Sequence, residues 1–356
     1  MKNHFFSSPF QNNPAFFIPT LDEKPVLRYT KWQNREKRLK EMKITLLDAA
    51  TLGDDLSYNL FHEFGEVRVF NISPADRVAQ NIADSDVVVI NKVKLGAVNL
   101  ADAKSLKLIC IAATGFDNVD LDYCRSRGIA VCNVVGYSTP CVAQVTVAMA
   151  LSLITHLPEF DACVRSGEYT ARGIPNRLTP VYHEIAGKTW GIIGFGNIGK
   201  QVGRVAEALG CRVLVHKRTP IDGVPCVDLD RICRESDILS IHTPLNDSTR
   251  GLLDERHIKM LKRNAIVINV ARGAVTDEAA LAAAVREGRI GALGVDVYST
   301  EPFAVDHPFY SIKDYPNVCF TPHMAWGGFE TRVRVMTEMA ENIRDFLSGG
   351  RRNRVD

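Results

Sequence analysis

The chain lacks the features that mark several large classes of protein. Its formal net charge at pH 7 is only +2, so no charge excess favours a nucleic acid or a membrane surface as a partner. Its nine cysteines are scattered and form no C-x-x-C pair. This argues against a disulfide framework and against a structural metal site, and it favours a reducing, cytoplasmic location. The most apolar long run, residues 142–157, contains Gln144 and Thr146 and stops at Pro158, which predicts a buried helix rather than a membrane span.

Residues 1–41 differ in composition from the rest of the chain. Phe, Asn, Pro and Ser crowd the first twenty positions, and residues 31–43 are strongly basic. These residues contain no apolar segment followed by a small-residue cleavage site, so they do not have the pattern of a secretory signal. We interpret 1–41 as a disordered extension, or as the product of a start codon upstream of Met42. The acidic residues Asp22, Glu23, Glu36 and Glu41 disfavour a transit peptide.

From residue 44 onward, short apolar runs alternate with candidate helices. Strands are predicted at 44–47, 67–70, 87–90, 108–112 and 130–133, with helices near 54–63, 74–83, 101–104 and 120–127. This βα alternation is typical of a parallel sheet that is covered by helices on both faces. We therefore predict a doubly wound α/β domain, from which a long helix at 139–157 leads out.

A second alternating stretch follows a loop at 165–180 that is rich in Arg, Gly and Pro. Its predicted strands lie at 190–193, 212–215, 238–242, 265–270, 292–297 and 318–321, and its predicted helices lie near 254–260 and 277–287. A closing helix at 330–347 is expected to cross back to the first domain. The length of 356 residues fits about two domains of this kind.

A glycine-rich turn, G-x-G-x-x-G at 194–199, joins the strand at 190–193 to a helix that stops at Gly210. Gly194 permits a tight bend, Gly196 lets the backbone approach a pyrophosphate, and Gly199 allows the helix to pack closely on the strand. The helix N-terminus adds free N–H groups and a partial positive charge. The turn therefore predicts a dinucleotide site, with a βα turn that binds no ligand as the alternative.

Three polar residues follow three predicted strands at the same edge of the second sheet. Arg272, Glu301 and His323 come after the strands at 265–270, 292–297 and 318–321, and ligands bind at the carboxyl ends of such strands. His can donate a proton to a newly formed hydroxyl, a carboxylate beside it orients the ring, and Arg can hold a carbonyl and a carboxylate. Each residue also has an ordinary alternative as a strand cap, a loop residue or a turn residue.

These segments resemble the D-isomer-specific 2-hydroxyacid dehydrogenase family. The resemblance rests on 194–199, on NVARG at 269–273, on DVYSTEP at 296–302 and on Pro322-His323, and it extends from about residue 42 to about residue 347. It implies a Rossmann-type cofactor domain at 138–323 and a flavodoxin-like substrate domain at 42–137 plus 324–356. It also implies a homodimer paired through the cofactor domain, in which the apolar helix at 142–157 finds further partners.

The resemblance assigns roles to individual residues. It implies that Arg272, Glu301 and His323 are catalytic and that Asp296 lies near the nicotinamide. The implied substrate contacts are Lys92, Thr114, Gly115 and Arg272. The expected cofactor contacts are Gly194, Gly196, Asn197, Ile198, Gly199, Lys217, Arg218, Thr243, Pro244, Thr249, Val270, Ala271, Arg272 and Asp296.

Within the family, local features resemble the glycerate dehydrogenases, which also reduce hydroxypyruvate and glyoxylate. They are Asn91-Lys92, ATGFDNVD at 113–120, GYST at 136–139 and HMAW at 323–326. Val145 departs from this group, since many relatives carry His at that position. The resemblance implies a small 2-keto or 2-hydroxy acid as substrate. The alternative is a non-catalytic, cofactor-sensing binding protein like the corepressors of this family.

The end of the second strand of the cofactor domain bears on cofactor choice. An enzyme that uses NAD places Asp or Glu about 20 residues beyond the glycine turn to bind the ribose hydroxyls. This chain has Lys217 and Arg218 there, and both would attract a 2′-phosphate. The sequence therefore predicts NADP as the preferred cofactor and NAD as the second. Two alternatives stay open: the bases are simply solvated, or Asp222 folds back to supply the acid.

Overall fold

The first sheet is built from five parallel strands near the start of the described chain. The computed structural model describes residues 42–219, 223–224 and 226–356, so the interpretations of 1–41 and of Asp222 lie outside it. The strands are β1 (Met42–Leu46), β2 (Gly65–Val69), β3 (Val87–Ile90), β4 (Leu108–Ile111) and β5 (Ala130–Cys132). Their order is the flavodoxin-like order β2-β1-β3-β4-β5. The chain adds β2 on one side of β1 and the later strands on the other side, and in folds of this type ligands bind at this change, between β1 and β3.

The second sheet has six parallel strands. They are β6 (Thr189–Ile193), β7 (Arg212–His216), β8 (Ile238–Ile241), β9 (Ile266–Asn269), β10 (Ala292–Val295) and β11 (Val318–Phe320), in the order β11-β10-β9-β8-β6-β7. An isolated parallel bridge between Val215 and Cys226 adds a rudimentary strand outside β7. When this bridge is counted, the sheet has the 3-2-1-4-5-6 arrangement of a Rossmann fold, with β11 as a seventh strand at its edge. The predicted pair of doubly wound sheets is confirmed.

The helices cover both faces of these sheets, and four of them begin at an aspartate. Asp120, Asp228, Asp254 and Asp277 each accept a hydrogen bond from a backbone N–H in the first helical turn, which stabilises the helix start. The α-helices are Val78–Ile82, Ala97–Leu100, Leu121–Arg127, Thr139–Thr155, Leu157–Arg165, Glu168–Arg172, Asn197–Ala208, Leu229–Glu235, Glu255–Met260, Glu278–Arg286 and Phe329–Leu347. Short 3-10 helices lie at Ala49–Leu52, Asn59–Glu63, Gly273–Val275 and Pro308–Ile312.

Two helix predictions in the first domain are wrong. The helix predicted at 54–63 is replaced by the 3-10 helix Asn59–Glu63. Phe61 and Phe64 are both buried, and a 3-10 turn places residues three apart on one side. The helix predicted at 101–104 lies instead at Ala97–Leu100, because the side chain of Asn99 accepts the N–H of Gly96 and starts it there.

Three further differences concern the long helices and their connections. The helix predicted at 139–157 ends at Thr155, because His156 takes a left-handed φ of 49°. Pro158 then lies in the first turn of a second helix, Leu157–Arg165, a position that suits proline. The predicted loop at 165–180 contains the short helix Glu168–Arg172, and the sequence analysis missed Leu229–Glu235.

Two long helices pack on different sheets. Thr139–Thr155 packs with β9 and β10 of the second sheet through residues such as Met149 and Leu153. Phe329–Leu347 packs on the first sheet through residues such as Met336 and Met339. Trp326 contacts both cores, so the two sheets share one side chain. The predicted domain boundaries at 137/138 and 323/324 stay predictions.

Among the described residues, no single helix is long and apolar enough to cross a membrane. Thr139–Thr155 and Leu157–Arg165 reach the required length and apolarity only as a pair, and that pair is bent by 64°.

Candidate active site

The structure brings His323 and Glu301 into direct contact beyond the carboxyl ends of β11 and β10. The Nδ1 atom of His323 lies 2.6 Å from Oε2 of Glu301. The other carboxylate oxygen of Glu301 accepts the N–H of Tyr298 at 3.0 Å. Burial raises the pKa of Glu301, but the hydrogen bond and the positive charge of His323 outweigh it, so this pKa lies below its usual value. Glu301 engages Nδ1, which leaves Nε2 of His323 as the ring nitrogen that can exchange a proton.

Asp296 holds the turn that carries His323. Its buried carboxylate accepts hydrogen bonds from the Thr321 hydroxyl at 2.5 Å, the Met324 N–H at 2.8 Å and the Ala325 N–H at 3.0 Å. The N–H of His323 donates to the carbonyl of Asp296 at 2.8 Å, and His323 itself has a φ of 53°. Burial raises the pKa of Asp296, although the hydrogen bonds act to lower it. The geometry makes Asp296 a support of the histidine turn, and its expected position near a nicotinamide stays a prediction.

Arg272 lies directly after β9 and reaches the first sheet. Its Nη1 donates to the carbonyl of Ala271 at 2.8 Å. The side chain of Asn269 fixes this segment, since it donates to the carbonyl of Arg272 at 3.0 Å and accepts the N–H of Ala271 at 3.0 Å. A Cβ atom built on Gly115 would lie only 2.7 Å from Nη2 of Arg272. The Thr114-Gly115 turn of the first sheet therefore meets the guanidinium of the second.

Lys92 brings a second positive charge from the first sheet. Its Nζ lies 3.5 Å from Nδ1 of His323. Burial lowers the pKa of Lys92, while the carboxylate of Glu301 opposes this shift. The hydroxyl of Thr114 donates to the carbonyl of Val134 at 2.9 Å. This bond occupies the hydroxyl proton of Thr114, so the backbone of the Thr114-Gly115 turn is the part suited to an anion.

Sequence reasoning missed the residue that positions Lys92. The carboxylate of Asp48, which is buried, accepts the N–H groups of Asn91, Lys92 and Val93 at 2.9, 2.5 and 3.0 Å. Asp48 follows β1 directly, at the point where the first sheet reverses its strand order. A lone acid after a strand is a common pattern, so the sequence alone offered no signal that separates Asp48 from a surface residue.

The glycine turn after β6 has the shape that its spacing predicts. Gly194 has a φ of 91°, and a Cβ there would lie 2.7 Å from the backbone N of Thr243. A Cβ on Gly199 would lie 2.2 Å from the carbonyl oxygen of Gly194. Gly196, the residue before the helix Asn197–Ala208, has no atom within 4 Å of its built Cβ. The backbone at the helix N-terminus therefore faces open space at Gly196, and a pyrophosphate could approach it closely there.

The loops after β7 and β8 lie beside this turn. Lys217 and Arg218 are exposed, and Nη1 of Arg218 lies 3.5 Å from the hydroxyl of Ser248. The hydroxyl of Thr249 donates to the carbonyl of Pro244 at 2.7 Å and accepts the N–H of Asn246 at 2.8 Å. Thr249 therefore shapes the loop with its side chain, and its expected cofactor contact stays a prediction. Val270 and Ala271 are buried at the end of β9, and Asn197 and Ile198 begin the helix.

His242 follows β8 directly, in the loop that also contains Thr243 and Pro244. Its Nε2 lies 3.0 Å from the hydroxyl of Ser240, which also accepts the indole N–H of Trp190 at 2.9 Å. Its Nδ1 is buried without a hydrogen-bond partner in the described part of the chain. Burial lowers the pKa of His242 to about 3, so this imidazole is neutral near pH 7.

Comparisons with known proteins agree with this geometry. The family model described as "D-isomer specific 2-hydroxyacid dehydrogenase, NAD binding domain" matches residues 147–325. Glycerate dehydrogenase of Methylorubrum extorquens is 34% identical over 88% of this chain and 99% of its own length. Hydroxypyruvate reductase of Blautia hydrogenotrophica is 32% identical over 88% and 100%. The structure of an acyclic imino acid reductase (Bsp5) with NADPH and D-Arg is similar, with a TM-score of 0.77 and 28% identity over 88% of this chain and 100% of that one.

Proposed function

Since the chain belongs to the D-isomer specific 2-hydroxyacid dehydrogenase family and is therefore a nicotinamide-dependent oxidoreductase, we propose that it reduces hydroxypyruvate or glyoxylate. This is the activity of a D-glycerate dehydrogenase, in which a hydride moves between the cofactor and a small D-2-hydroxy or 2-keto acid. The observation that carries the proposal is the 2.6 Å contact between His323 and Glu301, at the carboxyl ends of the same sheet that carries Arg272 and the glycine turn.

Each charged residue has one task in the proposed reaction. A reduced nicotinamide cofactor would supply the hydride, with its pyrophosphate held at the 194–199 turn. Nε2 of His323 gives the proton to the carbonyl oxygen, and Glu301 stabilises the imidazolium that can give it. Arg272 polarises the carbonyl and binds the substrate carboxylate with paired donors. Lys92 and the backbone of the Thr114-Gly115 turn complete the anion site.

A substrate panel tests the proposed function. The purified chain is assayed with NADPH and with NADH against glyoxylate, hydroxypyruvate, pyruvate and phenylpyruvate. We expect hydroxypyruvate or glyoxylate to give the largest kcat/KM. Cofactor binding without turnover of these four acids would contradict the proposal and favour a cofactor-sensing binding protein.

The cofactor preference rests on the bases after β7. Lys217 and Arg218 are exposed where an NAD enzyme has its acid, and a 2′-phosphate would meet Arg218 and the hydroxyl of Ser248. A charge-assisted hydrogen bond of this kind is worth about 1.5–3 kcal/mol. We therefore expect a higher kcat/KM with NADPH than with NADH, and at least a roughly tenfold loss for NADPH in Arg218→Ala.

The control for this experiment is Arg204→Ala, in the helix of the same βαβ unit. Arg204 is exposed, and its Nη1 donates to the side-chain oxygen of Gln201 at 3.2 Å. It should leave both cofactors unchanged. A roughly tenfold advantage for NADH that Arg218→Ala does not alter would contradict the preference for NADPH.

The proposed homodimer is supported by apolar side chains exposed between residues 157 and 182. Leu157, Val164, Leu178, Val181 and Tyr182 are 62, 60, 70, 69 and 52% exposed. The rings of Phe160 and Tyr182 are 6.0 Å apart, which brings the helix Leu157–Arg165 against the end of this range. Exposed apolar patches mark interaction surfaces, and a twofold axis would let the same surface cover itself. We expect light scattering to give twice the mass of one chain at micromolar concentration, and a monomer mass would contradict the dimer.

A further inference from the structure

The loop that carries Glu301 has a buried anchor. Between the end of β10 and Glu301, the chain has no regular secondary structure. Ser299, two residues before Glu301, donates its backbone N–H to Oε1 of Glu278 at 2.9 Å. The hydroxyl of Ser299 donates to Oε2 of the same carboxylate. The carboxylate of Glu278 therefore accepts hydrogen bonds from both the backbone N–H and the hydroxyl of Ser299, at the centre of this loop.

The carboxylate of Glu278 is itself fixed from the other side. Glu278 lies in the first turn of the helix Glu278–Arg286 and is 8% exposed. Nε2 of His307 lies 3.0 Å from Oε2 of Glu278, and Nδ1 of His307 accepts the N–H of Phe309 at 3.2 Å. Because Nδ1 is an acceptor, the ring proton is on Nε2 and points at the carboxylate. Three donors thus satisfy Glu278, as a buried carboxylate requires.

The same loop also lies against the segment that carries Arg272. Gly273 follows Arg272 directly, and a Cβ on Gly273 would lie 2.1 Å from the backbone N of Ser299 and 2.1 Å from the backbone C of Tyr298. The two backbones are therefore in contact with no space between them. A shift of Ser299 would move Glu301 and press on the segment of Arg272 at the same time.

We propose that Glu278 is a positioning residue for the reaction, which holds Ser299 and thereby sets the distance between Glu301 and His323. This inference rests on the proposed function of Glu301. Glu278 does not contact the site directly; it acts through the loop. The hydrogen-bonded pair of Glu301 and His323 is the feature that depends on it.

Glu278→Gln tests the inference with little change of shape. An amide has one acceptor oxygen, so its NH₂ group must face either the N–H of Ser299 or the Nε2–H of His307. We expect kcat to fall roughly ten- to hundredfold, as for a displacement of about 1 Å at a catalytic group. The affinity for NADPH, measured by its fluorescence, should stay within about twofold, because the cofactor turn at 194–199 is not touched.

Ser299→Ala is the second variant, and Glu255→Gln is the control. Ser299→Ala removes the hydroxyl but keeps the backbone N–H bond to Glu278, so its loss of kcat should be smaller; it also serves if Glu278→Gln does not fold. Glu255 is likewise a first-turn glutamate, but it is exposed and pairs with Lys259 at 2.6 Å. Glu255→Gln should leave kcat unchanged.

A double-mutant cycle separates positioning from a general loss of structure. If Glu278 acts mainly through Glu301, Glu278→Gln should lower kcat by a clearly smaller factor in Glu301→Gln than in the wild type. An equal fold-loss in both backgrounds, or wild-type kcat in Glu278→Gln, would overturn the inference. Absence of turnover in the wild type itself would instead contradict the proposed function.

Discussion

Gly115→Ala should damage activity and spare the fold, because the new methyl group meets only the ends of two side chains, and the nearer one comes from the other sheet. The built Cβ lies 2.7 Å from Nη2 of Arg272 and 3.2 Å from Oδ1 of Asp117. Non-bonded heavy atoms of this kind need about 3.5 Å, so the guanidinium must move by roughly 0.8 Å. Gly115 does not have a positive φ, so alanine strains no backbone there. The cost therefore falls on the position of Arg272.

The size of the effect follows from what the guanidinium does. A displacement of about 1 Å at a catalytic group costs up to about a hundredfold in rate. Loss of one good charge-assisted hydrogen bond costs about 1.5–3 kcal/mol, or roughly 10–150-fold. We expect kcat/KM for the keto acid to fall about ten- to hundredfold. KM for NADPH should change less than about twofold, since the 194–199 turn belongs to the other side of the site.

The measurement is the initial rate of NADPH oxidation at varied keto acid, together with the melting temperature. Gly96→Ala is the matched control in the same domain, because its built Cβ makes ordinary van der Waals contact with Cβ of Asp120 at 3.4 Å and Oδ2 of Asp120 at 3.9 Å. Gly96→Ala should keep wild-type kinetics. A Gly115→Ala variant with unchanged kcat/KM would refute the reasoning, and so would a loss of activity that is matched by a lower melting temperature.

Five other outcomes follow from the geometry. Gly196→Ala should keep the wild-type melting temperature but raise KM for NADPH at least about tenfold, because its methyl would stand between the backbone and a pyrophosphate. Gly199→Ala should lower the melting temperature, because backbone lies 2.2 Å from its Cβ. His323→Gln should lower kcat at least about a hundredfold with NADPH binding retained; near wild-type turnover would end its assignment as the proton donor. The pKa of Glu301 lies below its usual value. The hydrogen bond between its carboxylate and the imidazolium is therefore complete at pH values above the usual pKa, and it is lost as the pH falls through the lowered pKa. Glu301→Gln should remove this acid limb of the pH profile of kcat. Burial lowers the pKa of His242 from 6.5 to about 3. The contribution of this residue to the free energy of unfolding is therefore complete above pH 6.5 and is lost as the pH falls toward 3. Urea unfolding of His242→Gln should show a weaker loss of stability across this window.

The sequence was sufficient for the strands and for the residues that follow them. A strand buried on both faces is a continuous apolar run, and the prediction at 87–90 matches Val87–Ile90 residue for residue. Parallel strands end at one edge of a sheet, so the contact between Glu301 and His323 could be expected from the order of the strands alone. The short elements were harder, because Asn59–Glu63 and Leu229–Glu235 are too short for a helical periodicity to appear.

Contacts that cross between the two sheets could not be predicted. Lys92 and Gly115 come from the first sheet, while His323 and Arg272 come from the second. Their approach depends on how the sheets pack, and Trp326 is shared by both cores. No periodicity or spacing encodes that packing. The resemblance to a family supplied Lys92 and Gly115, and the geometry then showed which charged groups they meet.

The buried acids show a common solution to a problem that all parallel α/β sites share. Beyond the end of a strand, the backbone N–H groups of a loop have no neighbouring strand to bind, and burial leaves them without water. A carboxylate offers several lone pairs and can accept two or three such donors at once. Asp48, Asp296 and Glu278 are 6, 1 and 8% exposed, and each binds the loop that presents one functional side chain. Burying a carboxylate is costly unless it is fully hydrogen-bonded. If such a loop moves away, its carboxylate stays buried as a charge without hydrogen-bond donors. Each carboxylate therefore raises the free energy of the displaced loop more than a neutral acceptor would.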